Sequence, residues 1–275
     1  MSVVVHMSDI HFGAHQEELV QSLLADVAAQ EPDLVVVSGD LTQRARPTQF
    51  EQARAFLDRL PGPVLTVVGN HDLPLVNLPR RFLSQTRRYE HYITVDLDPV
   101  VAIPGLIAVG LDTMPAWRWK AGHVSPRQTG IVRHAFEIPP ADNWRILVTH
   151  HPVLPEKLSG LVGRRLLVNT CAETGVAVLL SGHTHVASVA SAPLGEPGRR
   201  SALAVVSGTT ISRRTRGSPN TYGVLRLAGP MKVGASLTLE VRQAEGTDWS
   251  VGRDARFEYT SNGVVAMGAP GLTPE

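Results

Sequence analysis

A chain of 275 residues with 43% hydrophobic and 19% charged side chains has the make-up of a globular protein, and its formal net charge of +1 speaks against a general nucleic-acid binder. A single cysteine, Cys171, excludes an intrachain disulfide, and no apolar run approaches the ~20 residues of a membrane helix. Aromatics are only 5%, so the core must rest on Val, Leu, Ile and Ala.

Val3-Val4-Val5 reads as the first strand and runs into Ser8-Asp9-Ile10-His11. The chain enters this strand almost at once, without a basic segment and a long apolar stretch, so no signal peptide and a cytoplasmic location are expected. Residues 17–29 place Leu19, Val20, Leu23, Leu24, Val27 and Ala28 at helical spacing. Leu34–Val37 is a second buried strand, ending in Ser38-Gly39-Asp40. Pro47 can open a helix whose apolar face is Phe50, Ala53, Leu57 and Leu60. A third strand, Val64–Val68, leads into Gly69-Asn70-His71-Asp72, where Gly69 would permit a tight turn. This β-α-β-α-β series predicts a mostly parallel sheet.

The middle is less regular. Arg80, Arg81, Arg87 and Arg88 lie in a loop-rich stretch and are read mainly as a solvated surface. Val100–Ile103 and Leu106–Leu111 form a candidate hairpin about Pro104-Gly105. Trp117 and Trp119, beside Lys120 and His123, suit either a pocket wall or packing under a long loop. Ser125, Pro126 and Gln128 make a helix start running to about Phe136. Arg145–Val148 is a strand ending in Thr149-His150-His151-Pro152. Leu161–Thr174 reads as a helix stopped by Gly175, with Cys171 as a small core residue. Val176–Leu180 is a strand ending in Ser181-Gly182-His183-Thr184-His185. Four further strands, Val186–Ala190, Ala202–Val206, Tyr222–Leu227 and Ser236–Val241, suggest a second, mainly antiparallel sheet facing the first. The expected organisation is one domain over residues 1–261 and a weakly ordered tail over 262–275.

Five apolar strands thus end in metal-ligand residue types: Asp9 with His11, Asp40, Asn70 with His71, His150, and His183 with His185. A parallel sheet brings such ends to one edge. Any one of these histidines taken alone is more often structural or exposed than a ligand. Five strand-terminal matches in order are hard to obtain by chance. Mixed imidazole and oxygen donors suit Zn, Fe or Mn better than Mg or Ca, and they are too many for one site, so two metals are expected. His71 offers an imidazole for proton transfer, and Asp72 is placed to accept its second N–H.

The order Asp-x-His, Gly-Asp, Gly-Asn-His-Asp, a lone His and Gly-His-x-His over Asp9–His185 resembles the calcineurin-like metallophosphoesterases. The resemblance implies an α/β fold, a four-layer α/β/β/α sandwich of two mixed sheets. It implies Asp9, His11, Asp40 and His185 around one metal and Asp40, Asn70, His150 and His183 around the other, with Asp40 bridging. His150 is chosen over His151 because it comes first after the strand. The cofactors implied are two divalent ions, or an Fe(III)/divalent pair, of Mn, Fe or Zn. The activity implied is in-line attack of a metal-bound hydroxide on a phosphoric ester. His71 and Asp72 are then the catalytic pair, His71 protonating the leaving group or holding a phosphate oxygen and Asp72 orienting it.

The Thr149–Pro152 stretch and the segment from Gly208-Thr209-Thr210 to Ser218-Pro219-Asn220-Thr221-Tyr222 resemble the bacterial cyclic-nucleotide phosphodiesterase branch. A small phosphodiester, cyclic nucleotides first, is the expected substrate, bound by Asn70, His71 and Arg213, with Arg214 and Arg216 as neighbours. The alternatives are a phosphomonoesterase, a nucleotide-sugar pyrophosphatase and a non-catalytic scaffold of the same fold. No nucleic-acid polymer and no membrane is expected as a partner, and a homo-oligomer is left open.

Overall fold

Val-rich runs and amphipathic stretches alternate along the first half of the chain, and each takes up the element its periodicity favours. The computed structural model describes residues 1–74, 84–115, 121–154, 160–195 and 200–267. Arg80, Arg81, Trp117, Trp119 and Lys120 lie outside the described residues. The chain opens with β1 (Ser2–Met7), α1 (Glu17–Ala29), β2 (Leu34–Val37), α2 (Pro47–Leu57) and β3 (Val64–Thr66). A short 3-10 turn over Asn70–Asp72 follows. Then come α3 (Arg87–Tyr92), β4 (Val100–Ile103), β5 (Leu106–Leu111), α4 (Pro126–Ala135), β6 (Trp144–Thr149), α5 (Arg164–Thr174) and β7 (Val178–Ser181). The remainder is all strand: β8 (Ser188–Pro193), β9 (Ser201–Val206), β10 (Thr221–Leu227), β11 (Ser236–Glu245), β12 (Asp248–Thr260) and β13 (Gly263–Ala266).

Local chemistry accounts for several boundaries. Helix α4 starts with a capping box, in which the Gln128 N–H donates to the Ser125 hydroxyl and the Ser125 N–H donates to Gln128 Oε1 at 3.0 Å. Gly175 ends α5 in the left-handed conformation, φ 67°. That helix starts at Arg164 and not at Leu161, because Gly163 is itself left-handed, φ 81°, and Val162 is held in a bridge to His123. In α1 the buried face is Leu19, Val20, Leu23, Leu24 and Val27, while Ala28 is exposed.

Strand pairing runs β3-β2-β1-β10-β11-β12-β13-β9-β7-β6-β5-β4, with β8 paired to β9. Among the described residues, strand pairing joins the two halves at the single pair Gly263 and Ser201, so the path folds over into two facing sheets. The expected division into an early parallel and a late antiparallel sheet is therefore wrong. β10 adds antiparallel to β1, while β9 adds parallel to β7, so both sheets are mixed. The reason is that β7 and β1 each retain a free edge that a later strand can satisfy. Part of the stretch read as tail is in the sheet. Gly263–Ala266 pairs with β12, and Val264 is fully buried.

Alternation along each strand explains the layers. Val5 and Met7 of β1 and Val35 and Val37 of β2 pack on one side, with Leu23, Phe50 and Ala53 of α1 and α2. Val4, Leu34 and Val36 point the other way, into a core shared with Trp144, Ile146, Val148 and Leu180 of the second sheet. Ile107, Val109 and Leu147 face outward again, against Val132 of α4 and Leu167 and Cys171 of α5. The result is an α/β/β/α sandwich.

Candidate metal centre

The strand ends of the two sheets converge. Asp9 and His11 follow β1, Asp40 follows β2, Asn70 follows β3, His150 follows β6, and His183 and His185 follow β7. Donor atoms of Asp9, His11, Asp40 and His185 all lie within 4.8 Å of one another, and all four residues are buried. His185 Nε2 is 3.4 Å from Asp9 Oδ1, and His11 Nε2 is 3.7 Å from both Asp9 Oδ1 and Asp40 Oδ2. A second group adjoins it through Asp40. His150 Nε2 lies 3.6 Å from Asp40 Oδ1 and 3.1 Å from Asn70 Oδ1, and His183 Nδ1 is 3.0 Å from the same Asn70 oxygen.

The backbone is strained to achieve this. Asp9, His11, Asp40, His183 and His185 all have positive φ, between 52° and 71°, a region that costs non-glycine residues about 1–3 kcal/mol each. Glycines admit the close approach. A Cβ on Gly69 would stand 2.1 Å from the Asp40 nitrogen, and one on Gly182 would stand 1.8 Å from Ser8 Oγ. Gly69 has φ −102°, so it is needed for space and not for the tight turn expected of it.

Outer hydrogen bonds orient the rings. His150 Nδ1 donates to the Ser38 carbonyl at 2.8 Å, and His185 Nδ1 lies 2.8 Å from the Arg214 carbonyl and 2.9 Å from Thr209 Oγ1. These bonds leave each Nε2 turned inward. His151 instead pairs its Nδ1 with Thr113 Oγ1 at 2.8 Å, its ring tilted 46° against that of His183, while His150 Nε2 is the nitrogen that faces Asp40 and Asn70.

Three buried polar atoms at the first group lack a hydrogen-bond partner: Asp9 Oδ1, His11 Nε2 and Asp40 Oδ2. Orphaned buried acceptors are costly unless something fills the space between them. Burial would raise the Asp9 carboxyl, but His11, with His150 and His185 behind it, holds it below the usual carboxylate range. Burial, then the Asp9 and Asp72 carboxylates, push Asp40 well above that range. A cation between the carboxylates would remove the repulsion, and the donor set fits a transition metal.

The Asp72 expectation is corrected. Its carboxylate accepts from the Leu41, Thr42 and Gly69 N–H groups, at 3.2, 2.8 and 3.0 Å, and does not hold His71. It is a loop staple that ties the β2 end to the β3 end. His71 instead donates from Nδ1 to the Gln43 carbonyl at 2.8 Å, and its Nε2 accepts from Arg214 Nη1 at 3.0 Å. Burial, with His11 adding, lowers its pKa to about 4. Arg213 is also displaced from the site: its side chain is exposed, as is that of Arg216, and Arg214 between them reaches the cluster. Sequence periodicity could not tell which of three loop arginines turns inward. Of the other expected basic residues, Arg88 is tied to the Ala45 carbonyl at 2.6 Å and Arg87 is exposed. No helix among the described residues is long and apolar enough to cross a membrane.

The profile of the family described as calcineurin-like phosphoesterase matches residues 2–187. A "Probable cyclic nucleotide phosphodiesterase" of Rhodococcus erythropolis is 27% identical over 209 residues, covering 68% of this chain and 66% of its own. "Glycerophosphodiester phosphodiesterase GpdQ" of Enterobacter lignolyticus is 38% identical over 81 residues, covering 26% of this chain and 29% of its own. The matched region thus spans less than two thirds of either relative's length. A dimetal phosphatase of Danio rerio has a similar fold, with TM-score 0.63 at 12% identity over 90% of this chain and 98% of its own.

Proposed function

Because the chain belongs to the calcineurin-like phosphoesterase family, we propose that it is a two-metal hydrolase of small phosphodiesters, with cyclic nucleotides as the favoured class. One observation carries the reading: two groups of donors adjoin through Asp40, and in the first of them Asp9 Oδ1, His11 Nε2 and Asp40 Oδ2 face one another, buried and without a hydrogen-bond partner. Asp9, His11, Asp40 and His185 would hold one ion, and Asp40, Asn70, His150 and His183 the other. Imidazole and oxygen donors together favour Mn, Fe or Zn. Bound there, two divalent cations supply Lewis acidity toward a phosphoryl oxygen and a nucleophile at neutral pH.

The chain's own residues then have separable tasks. Asp9 and Asp40 balance part of the cationic charge, leaving a net attraction for an anionic ester. The Ser38, Thr209 and Arg214 oxygens hold the imidazoles in register. Asn70 and His71 are the substrate-side residues. The diester preference rests on the phosphodiesterase names of two sequence relatives.

Elemental analysis and turnover test this together. Asp40→Ala should lose most bound metal and nearly all activity. Cys171→Ala should keep both, since its thiol is buried and pushed up to about 12. Two equivalents of metal retained by Asp40→Ala would remove the bridging role. The manganese-loaded protein should show higher kcat/KM on bis-nitrophenyl phosphate than on the monoester, and the reverse order would make it a phosphomonoesterase.

A further inference from the structure

The loop after β9 places one cation inside the centre. The Arg214 side chain is half-buried, and no carboxylate among the described residues lies within ion-pair distance of it. Its main chain is fastened on two sides: the carbonyl lies 2.8 Å from His185 Nδ1 and 3.1 Å from Thr209 Oγ1, and the N–H donates to Ser212 Oγ at 3.2 Å. The guanidinium Nη1 stands 3.0 Å from His71 Nε2. His71 in turn is held from behind. A carbonyl oxygen can only accept, so the 2.8 Å contact with Gln43 places the ring proton on Nδ1 and leaves a lone pair on Nε2 for Arg214. The His71 N–H also donates to Asp40 Oδ1 at 2.8 Å, which fixes the ring beside the shared carboxylate.

A guanidinium has five donors, and His71 takes one side of it. Such a group beside two bound dications is repelled by them, a cost that an anionic ligand reverses. A guanidinium also recognises phosphoryl oxygens through paired N–H donors. We propose that Arg214 is a substrate-binding residue that takes a non-bridging oxygen of the substrate's phosphoryl group, and that His71 is the neutral acceptor that positions it. His71 is then a positioning residue and not a proton donor, because the nitrogen that would carry the proton is the one that receives Arg214. This rests on the phosphoesterase reading of the site.

Inorganic phosphate is the probe, titrated by calorimetry into the full-length manganese-loaded chain, so that binding is read without turnover. Arg214→Ala should weaken phosphate at least about tenfold, the scale of one lost charge-assisted hydrogen bond, with metal content unchanged. His71→Gln should keep most of the affinity, because its side-chain oxygen can accept from the guanidinium. His71→Ala should fall about as far as Arg214→Ala, and the double Ala variant little further. Should Arg214→Ala not fold, as judged by circular dichroism, Arg214→Gln carries the same expectation. Phosphate affinity within about twofold of wild type in the arginine variants would overturn the proposal, as would His71→Gln losing as much as His71→Ala or either losing metal. Absence of turnover on every phosphoester would defeat the phosphoesterase reading, while the phosphate titration would still decide the role of Arg214.

Discussion

At the scale of single residues, the centre depends on side chains that are missing as much as on those present. Gly182 precedes His183, and a Cβ there would meet Ser8 Oγ at 1.8 Å and Asp9 Oδ2 at 2.6 Å. Gly182→Ala must therefore push Ser8 and Asp9 aside. We expect a loss of about 1–3 kcal/mol in stability, the usual cost of overpacking, together with weaker metal retention. Thermal melts and metal analysis of the one variant check both, and an unchanged metal content would mean that the loop yields without moving Asp9. Asp72 teaches a related lesson. Its position directly after His71 suggested a partner for that ring, yet a 3-10 turn sends the two side chains apart. Adjacent residues on a tight turn rarely point at one another, and the nearest N–H groups claimed the carboxylate first.

At the scale of elements, the end of β5 is tied to the start of α4 by polar groups. Gln128 Nε2 donates to Asp98 Oδ1 at 2.9 Å and to the Asp112 carbonyl at 2.6 Å, and Asp112 Oδ1 accepts from the Met114 N–H at 2.8 Å. Burial, opposed by that Met114 N–H, pushes the Asp112 carboxyl up to about 7, with Asp98 adding to the rise. The folded chain then keeps this proton where the unfolded chain, near the usual 3.8, has released it. Stability contributed by this group is accordingly present below about pH 4 and lost as pH rises to about 7. Asp112→Asn removes the titration but keeps an oxygen for Met114. It should raise the melting temperature clearly more at pH 8 than at pH 4, and an equal change at both would show that Asp112 is ionised throughout. The capping box of α4 and the glycine stop of α5 were legible beforehand because both are local. The start of α5 was not, since it depends on the bridge from Val162 to His123.

At the scale of the whole molecule, residues distant in sequence close the first sheet against its helices. Asp26 of α1 accepts from Arg242 Nε and Nη2, each at 2.6 Å, and from the Tyr222 hydroxyl. This joins the second element of the chain to β10 and β11. Asp26→Asn breaks the charged fork and should lower unfolding stability by about 1.5–3 kcal/mol. The urea midpoint should fall while metal content holds, because the fork lies on the helix side of the sheet and the ligands sit at the strand ends. An unchanged midpoint would make the fork a surface pair of little consequence.

Much of this protein was legible in one dimension. Strand, turn and helix signals are set by neighbours within a few residues, so Leu34–Val37, Glu17–Ala29 and Leu106–Leu111 were placed correctly by periodicity alone. The order of ligand-type residues at strand ends was equally visible, because parallel β-α-β units bring those ends to one edge. What needed the folded chain were the facts that depend on side-chain direction across long separations. Which sheet each late strand joins is decided by which edge is free. Arg214 rather than Arg213 turns inward because its carbonyl is drawn to His185 and its N–H to Ser212. The proton of His71 sits on Nδ1 because Gln43, 28 positions away, presents a carbonyl there. Local spacing carries no information about such partners, since Gln43 and His71 meet only once β2 and β3 pair side by side, and Arg214 and His185 only once the later strands are in place.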